Sequence, residues 1–305
     1  MNILITGSNG IIGEQVVAEL LREYPTANLF VVNRRPSAIN DERIESIELD
    51  LLKAAKEQLN SIFDRVRPEL FFHLAWDTNH TDYLNTPNNI KWEEVSIILI
   101  NLFYHSGGKK FIGVGSSIEY DWEQKSPFEE DTSSLSGNKW LYGQSKLNVY
   151  KYLAAQTGIS YLWCRVFFVF GPHQSKSRLV PKIINNVLYD DSPLSLNLTL
   201  KRDYISTFEI ARQMLMMQKT DLSGAVNICS GRAVDLGYIA NCVTDILNKP
   251  LKLSHVRYQD GFEIESLGGS IKQINHFYSE YHYSLEAFYG DIKKTIDLFK
   301  QIKKG

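Results

Sequence analysis

The chain opens on "MNILITGSNGIIG", an apolar run that leads straight into a turn with glycines at positions 7, 10 and 13. Asn2 to Gly7 reads as a buried strand, and a helical pattern follows from about Ile11 to Tyr24. Gly7 permits the tight turn, Gly10 lets backbone amides approach a bound group, and Gly13 lets the helix pack close to the strand. A helix start presents unpaired N–H groups and partial positive charge, so a turn through Asn9, Ile11 and Ile12 is suited to an anion. The spacing is GxxGxxG, not GxGxxG. Its place directly after the first strand points to the pyrophosphate of a dinucleotide.

The same alternation continues through the first half. "NLFVVN" (28–33), "ESIELD" (45–50), "LFFHLA" (70–75), "KKFIGVGS" (109–116) and "SYLWCRVFF" (160–168) read as strands, with helices at 51–65, 90–106 and 140–157. Apolar strands without polar alternation, separated by helices, imply a parallel sheet covered on both faces. The expected fold is α/β, a Rossmann-type doubly wound parallel sheet with a smaller mixed α/β lobe. After "FGP" (170–172) the rhythm breaks into polar and proline-containing segments. Residues 1–171 are therefore expected to form the dinucleotide-binding domain, with 202–231 returning to it, and 172–305 to form mainly a substrate-binding lobe.

Bulk properties exclude several classes. A net charge of −2 with no Lys/Arg run argues against a nucleic-acid surface. The longest apolar runs, "SIILINLFY" and "YLWCRVFFVF", are too short to span a bilayer, and the opening residues read as the first strand, so no signal peptide is expected. The expectation is a cytoplasmic protein with no membrane partner. Cys164, Cys229 and Cys242 lack CxxC spacing and read as small core residues in a reducing compartment. The seven histidines show no metal-binding spacing, so no metal is expected. Helix 90–106 is apolar almost all round, through Val95, Ile97, Ile98, Leu99, Ile100, Leu102 and Phe103. Burial within the chain accounts for that, and so does a homodimer interface, which is expected here.

The end of the second strand bears on cofactor choice. A fold of this kind that prefers NAD carries an acidic residue about 20 residues after the glycines, for the ribose hydroxyl. Here the position reads Asn33-Arg34-Arg35. A carboxylate would repel a 2′-phosphate, whereas a guanidinium binds it through charge-assisted hydrogen bonds. NADP(H) is therefore the expected cofactor. Asp50 and Leu51, after the third strand, are placed to meet the adenine.

"WLYGQSKLNVY" sets Tyr142 and Lys146 four apart, on one helix face and about 6 Å apart along the axis. A tyrosine with a pKa of about 10 transfers protons poorly at neutral pH, and a neighbouring ammonium favours its phenolate. The glycine turn, then Ser116 at a strand end, then YxxxK, occur in an order that resembles the extended short-chain dehydrogenase/reductases, the nucleotide-sugar epimerase/dehydratase branch. "RVFFVFGP" (165–172), "KRDYISTFEIA" (201–211) and "GAVNICSG" are similar to further segments of that branch. "HLAW" (73–76) and "SSIEYDW" are similar to its NDP-4-keto-6-deoxyhexose reductases.

The resemblance implies Tyr142 as proton donor or acceptor, Lys146 as its tuning partner and Ser116 as a hydrogen bond to the substrate oxygen. It implies Leu74, Ala75 and Trp76 beside the cofactor, and His73 in a structural or cofactor-adjacent place. Arg202 would bind the nucleotide diphosphate, with Arg178, Asn185 and Ser117 further candidates for the substrate. The chain departs from the pattern at Phe168, where many members carry Asn, and at Ser206, where His is usual. Dehydratases of this branch carry Asp-Glu after the hydroxyl residue, for the extra acid and base that elimination needs. Ser117-Ile118 stand there instead, and isoleucine can do neither job. The expected reaction is NADPH-dependent reduction of a nucleotide-linked 4-keto-6-deoxy sugar. The alternatives are a C4 epimerase and a non-catalytic NADP-binding regulator.

Overall fold

The computed structural model describes residues 1–78, 82–130, 139–190, 192–254 and 264–302. In chain order its principal elements are β1 (Asn2–Thr6), α1 (Gly13–Glu23), β2 (Asn28–Asn33), β3 (Ile44–Glu48), α2 (Lys56–Val66), β4 (Leu70–His73), α3 (Asn88–His105), β5 (Lys110–Ser116), α4 (Leu141–Ala154) and β6 (Ser160–Val166). Then come β7 (Phe168–Phe170), α5 (Leu179–Tyr189), β8 (Lys201–Arg202), β9 (Tyr204–Ser206), α6 (Thr207–Gln218), β10 (Gly224–Ile228), β11 (Val234–Asp235), α7 (Leu236–Leu247), β12 (Ser266–Leu267), α8 (Lys272–Phe277) and α9 (Leu285–Ile302). A short 3-10 turn, Ser117–Glu119, follows β5 directly.

Two compact units emerge. The first comprises Met1–Asp121, Ser133–Val166 and Ala211–Val226. Its sheet runs β10-β6-β5-β4-β1-β2-β3, and every pairing from β3 to β6 is parallel. The order β3-β2-β1-β4-β5-β6 is that of a doubly wound dinucleotide fold, whose ligand crevice opens where the order reverses, between β1 and β4. Gly7 follows β1 and Leu74 follows β4, so both sit at that reversal. The core is built of Leu4, Phe71, Phe103, Phe111, Leu99 and Trp163, all at most 2% exposed.

Helix α3 buries Val95, Leu99, Ile100 and Phe103 within this unit, and Ile98 and Leu102 pack partly buried against the same core. Gly13 opens α1, and a Cβ there would lie 2.1 Å from the Gly7 carbonyl oxygen and 2.7 Å from Ser8 Cα. Both are backbone atoms and cannot yield cheaply. Gly13→Ala is therefore expected to destabilise the protein by about 1–3 kcal/mol in urea denaturation. Gly10→Ala, with its nearest contact at 3.2 Å, is expected to cost clearly less.

The second unit comprises Trp122–Thr132, Phe167–Ile210 and Asn227–Gly305. It carries a three-stranded sheet, β11-β8-β12, and a two-stranded one, β7-β9. The strand expected over 160–168 divides after Val166. Ser160–Val166 joins the large sheet, and Phe168–Phe170 pairs with Tyr204–Ser206 instead. β8 pairs with β11 and β12, and residues 202–210 belong to the second unit. All three cysteines are free and buried. Among the described residues, no helix is long and apolar enough to cross a membrane.

Candidate active site

The glycine turn is held by asparagines. Gly7 has a positive φ of 75°, and a Cβ on it would meet Ala75 N and Cα at 2.7 Å, so only glycine fits against the residues after β4. Asn9 donates through Nδ2 to the carbonyl of Pro36 at 2.8 Å and accepts at Oδ1 from the Ala38 N–H at 3.1 Å. Asn33 is buried and donates through Nδ2 to Ser8 Oγ at 2.6 Å. Asn33 therefore holds the turn from behind. These bonds join the glycine turn and the loop after β2 into one body, on which Arg34 and Arg35 are exposed.

The N–H groups of Ile11, Ile12 and Gly13 donate to no backbone carbonyl among the described residues. Open amides at a helix start, on a turn whose glycines at 7 and 13 leave no room for a side chain against the neighbouring backbone, fit a pyrophosphate. Beyond β3, Asp50 accepts from the Leu52 N–H at 3.2 Å, its other oxygen lies 3.7 Å from Lys53 Nζ, and Leu51 is buried.

The second cluster gathers on β4, β5 and α4. Helix α4 begins at Leu141, packs on β5 and the 3-10 turn, and places Tyr142 and Lys146 one turn apart. The Tyr142 N–H donates to the Leu84 carbonyl at 2.9 Å, and its ring meets Tyr83 and Trp76 edge-on at 5.2 and 6.1 Å. Lys146 Nζ donates at 2.7 Å to the carbonyl of Val114, two residues before Ser116. Burial lowers the Lys146 pKa to about 7, while the charge on Glu119 pulls it upward. Ser116 Oγ accepts from the Ile118 N–H at 3.3 Å, which leaves its hydroxyl proton to donate. Ser117 is buried within the turn.

His73 is buried with both nitrogens bonded, Nδ1 to Thr6 Oγ1 at 2.7 Å and Nε2 to Ser96 Oγ at 2.9 Å. Ser96 donates its own proton to the Trp92 carbonyl, so it accepts from His73, and Thr6 donates to Nδ1. Burial, aided by Lys146, pushes the imidazole down to about 3, so it is neutral. It is a fixed strut and not a base.

The residue that motif reasoning passes over is Glu119. It is fully buried, accepts from the Ser116 N–H at 2.8 Å and from Trp163 Nε1 at 3.0 Å, and pairs with Arg165 Nε at 2.8 Å. Ser116 and Glu119 thus cap each other across the turn. Gly115 makes room for this: a Cβ there would lie 2.4 Å from both Glu119 Oε1 and Trp163 Nε1. Arg165 also lies over the ring of Tyr150 at 4.6 Å. The sequence does carry a signal for it: an arginine inside the apolar run "YLWCRVFF" needs a buried carboxylate.

In the second unit, Arg202 donates to the carbonyls of Lys201 and Ile264 at 2.8 and 2.9 Å, and its guanidinium lies 5.7 Å from the Phe168 ring. Phe168 in turn lies 5.6 Å from Tyr204 and 6.1 Å from Trp122. Phe168, where the resemblance leads one to expect Asn, thus sets an aromatic ring beside Arg202. Burial pushes Tyr204 up to about 12, against the pull of Arg202 and Arg178. Arg178 immediately precedes α5, and Asn185 is half-buried on that helix. Asp203, fully buried, accepts from Ser230 N and Oγ at 2.7 and 2.6 Å and fixes the strand that carries Arg202. Ser206, in the usual place of His, donates to Asp291.

Comparison with known proteins gives a consistent picture. The profile of the "NAD dependent epimerase/dehydratase family" matches residues 3–229. A dTDP-D-glucose 4,6-dehydratase of Mus musculus is 26% identical over 205 residues, 60% of this chain and 54% of that protein. The chain thus spans about half the length of that relative. A dTDP-4-dehydro-6-deoxyglucose reductase of Escherichia coli is 23% identical over 81% of this chain and 82% of its own. Among solved structures, a UDP-N-acetylglucosamine 4-epimerase from Methanobrevibacter ruminantium M1, in complex with UDP-N-acetylmuramic acid, superposes with a TM-score of 0.84. It shares 23% identity and covers 99% of this chain and 98% of its own, which is a likeness of fold.

Proposed function

The chain belongs to the NAD dependent epimerase/dehydratase family, and on that premise we propose that it reduces the 4-keto group of a nucleotide-linked 6-deoxy sugar with NADPH. The observation that carries this reading is the stretch after β5. Ser116 and the Tyr142–Lys146 pair have the residue types that carbonyl chemistry needs, while Ser117 and Ile118 supply neither the acid nor the base of an elimination. The likeness to the E. coli reductase over most of both chains supports it.

The cofactor, when bound, supplies the hydride. Open amides at Ile11, Ile12 and Gly13 would hold its pyrophosphate, and Arg34 and Arg35 a 2′-phosphate. Tyr142 gives its phenolic proton to the oxygen of the C4 carbonyl, and solvent then reprotonates the tyrosine. Ser116 donates a hydrogen bond to the same oxygen as charge develops there. The Lys146 ammonium favours loss of the tyrosine proton and is suited to the cofactor ribose. Arg202, with Arg178 and Asn185, would hold the substrate diphosphate. In the Arg34→Ala/Arg35→Ala double variant, KM for NADPH is expected to rise about tenfold or more, with KM for NADH little changed. An equal effect on both cofactors would overturn the NADPH assignment.

A second reading, C4 epimerisation, is supported by the fold likeness to a 4-epimerase. With NADPH deuterated at the transferred position, a reductase leaves deuterium at C4 of the product sugar. An epimerase leaves the bulk NADPH unchanged. Ile90 and Tyr104 of α3 are exposed in the single chain, as a helix pairing with its own copy would leave them, and a homodimer is part of this proposal.

A further inference from the structure

Lys146 carries its charge in an unusual setting. The residue is 3% exposed, and its hydrogen-bond acceptor among the described residues is the Val114 carbonyl at 2.7 Å. Glu119, the carboxylate whose field reaches it, is already bonded to Arg165, Trp163 and the Ser116 N–H. What surrounds the ammonium is aromatic: the ring centres of Trp76, Tyr142 and Trp163 lie 3.7, 5.8 and 6.0 Å from Nζ.

The nearest ring is firmly held. Trp76 Nε1 donates to Asn89 Oδ1 at 2.9 Å, Asn89 donates on to the Tyr83 carbonyl at 2.7 Å, and Trp92 stacks on the indole at 6.0 Å. The same indole meets Tyr142 edge-on, at an interplanar angle of 89°.

We propose that Trp76 is a positioning residue for the Tyr142–Lys146 pair: its π face takes the place of a carboxylate as counter-charge to the buried ammonium, and its edge fixes the phenol ring. The physical advantage is specific. A carboxylate would stabilise the ammonium and cancel its field at the same time. An aromatic face attracts a cation through its quadrupole and carries no net charge, so the full positive charge of Lys146 acts on Tyr142. This inference rests on the reading of Tyr142 as the proton donor.

The pH consequence follows from the groups around the ammonium. His73 from β4 is neutral, Glu119 from the 3-10 turn is bound to Arg165 of β6, β5 offers the Val114 carbonyl, and Tyr142 shares α4. Removing the indole removes support for the charged form only, so Lys146 should lose its proton at lower pH. The test is the titration of the Lys146 ammonium by lysine-selective NMR, with the signal assigned by its loss in Lys146→Met.

Trp76→Leu is expected to lower the midpoint by about one pH unit, a tenfold change in proton affinity, and Trp76→Phe by less. The alkaline limb of kcat should move the same way, with KM for the nucleotide sugar unchanged. An unshifted midpoint in Trp76→Leu, or a loss of kcat uniform across pH, would overturn the inference. Should Trp76→Leu not fold, Trp76→Phe decides: a shift of the same sign supports the inference and none overturns it. The titration needs no turnover. A shifted midpoint in a protein inert toward every 4-keto nucleotide sugar would therefore refute the reductase reading separately.

Discussion

Tyr142→Phe is expected to lower kcat about a thousandfold while leaving the affinity for the nucleotide sugar nearly unchanged. The substitution removes one oxygen and keeps the ring that packs edge-on against Tyr83 and Trp76, so the fold around α4 should persist. What disappears is the group that protonates the developing alkoxide. Ser116 cannot replace it, since an aliphatic hydroxyl gives up its proton far less readily than a phenol. Steady-state kinetics with isothermal titration of the product complex would separate the two quantities. Unchanged turnover would remove Tyr142 from the chemistry and revive the non-catalytic binding reading. A loss of affinity as large as the loss of kcat would make it a binding residue instead.

The largest effect on stability should come from Glu119. Glu119→Leu removes the carboxylate that pairs with the Arg165 guanidinium, both 0% exposed, at an expected cost of about 3–5 kcal/mol. The cost arises because a charge in low dielectric needs a partner, not because the pair itself is a strong net stabiliser. The double variant Glu119→Leu/Arg165→Met is therefore expected to recover most of the loss, since it removes both charges and keeps the volume. Urea denaturation of the single and double variants, at equal m-values, measures the difference. If the double variant is no more stable than the single one, the ion pair contributes through something other than charge compensation. Activity should fall in both, because each leaves the Ser116 amide without the carboxylate that orients it.

Local chemistry made part of this molecule legible in its sequence. The turn at Gly7, Gly10 and Gly13 can be deduced because a strand, a tight turn and a helix start each impose a residue type at a fixed spacing. Tyr142 and Lys146 can be paired because the helical repeat brings positions four apart together. The split of the expected strand 160–168 was not visible, since it depends on Phe168–Phe170 finding β9 some thirty-five residues later. The same limit hid the partner of Arg165, although a charged residue in an apolar strand announces that one must exist. It also hid the place of Trp76 over Lys146, a contact across seventy residues that no spacing rule encodes. Contacts set by the backbone repeat can be predicted from the chain, and those set by sheet order cannot.

Net reduction by NADPH fixes a stoichiometry that can be measured. Purified protein would be mixed with NADPH and, in turn, UDP-, GDP-, CDP- and dTDP-linked 4-keto-6-deoxy sugars, while the loss of reduced nicotinamide absorbance is followed. The prediction is that at least one of them consumes NADPH mole for mole with the alcohol formed, and that Tyr142→Phe abolishes the consumption. No NADPH loss with any of the four, together with interconversion of C4 epimers by the same preparation, would make the protein an epimerase and not a reductase.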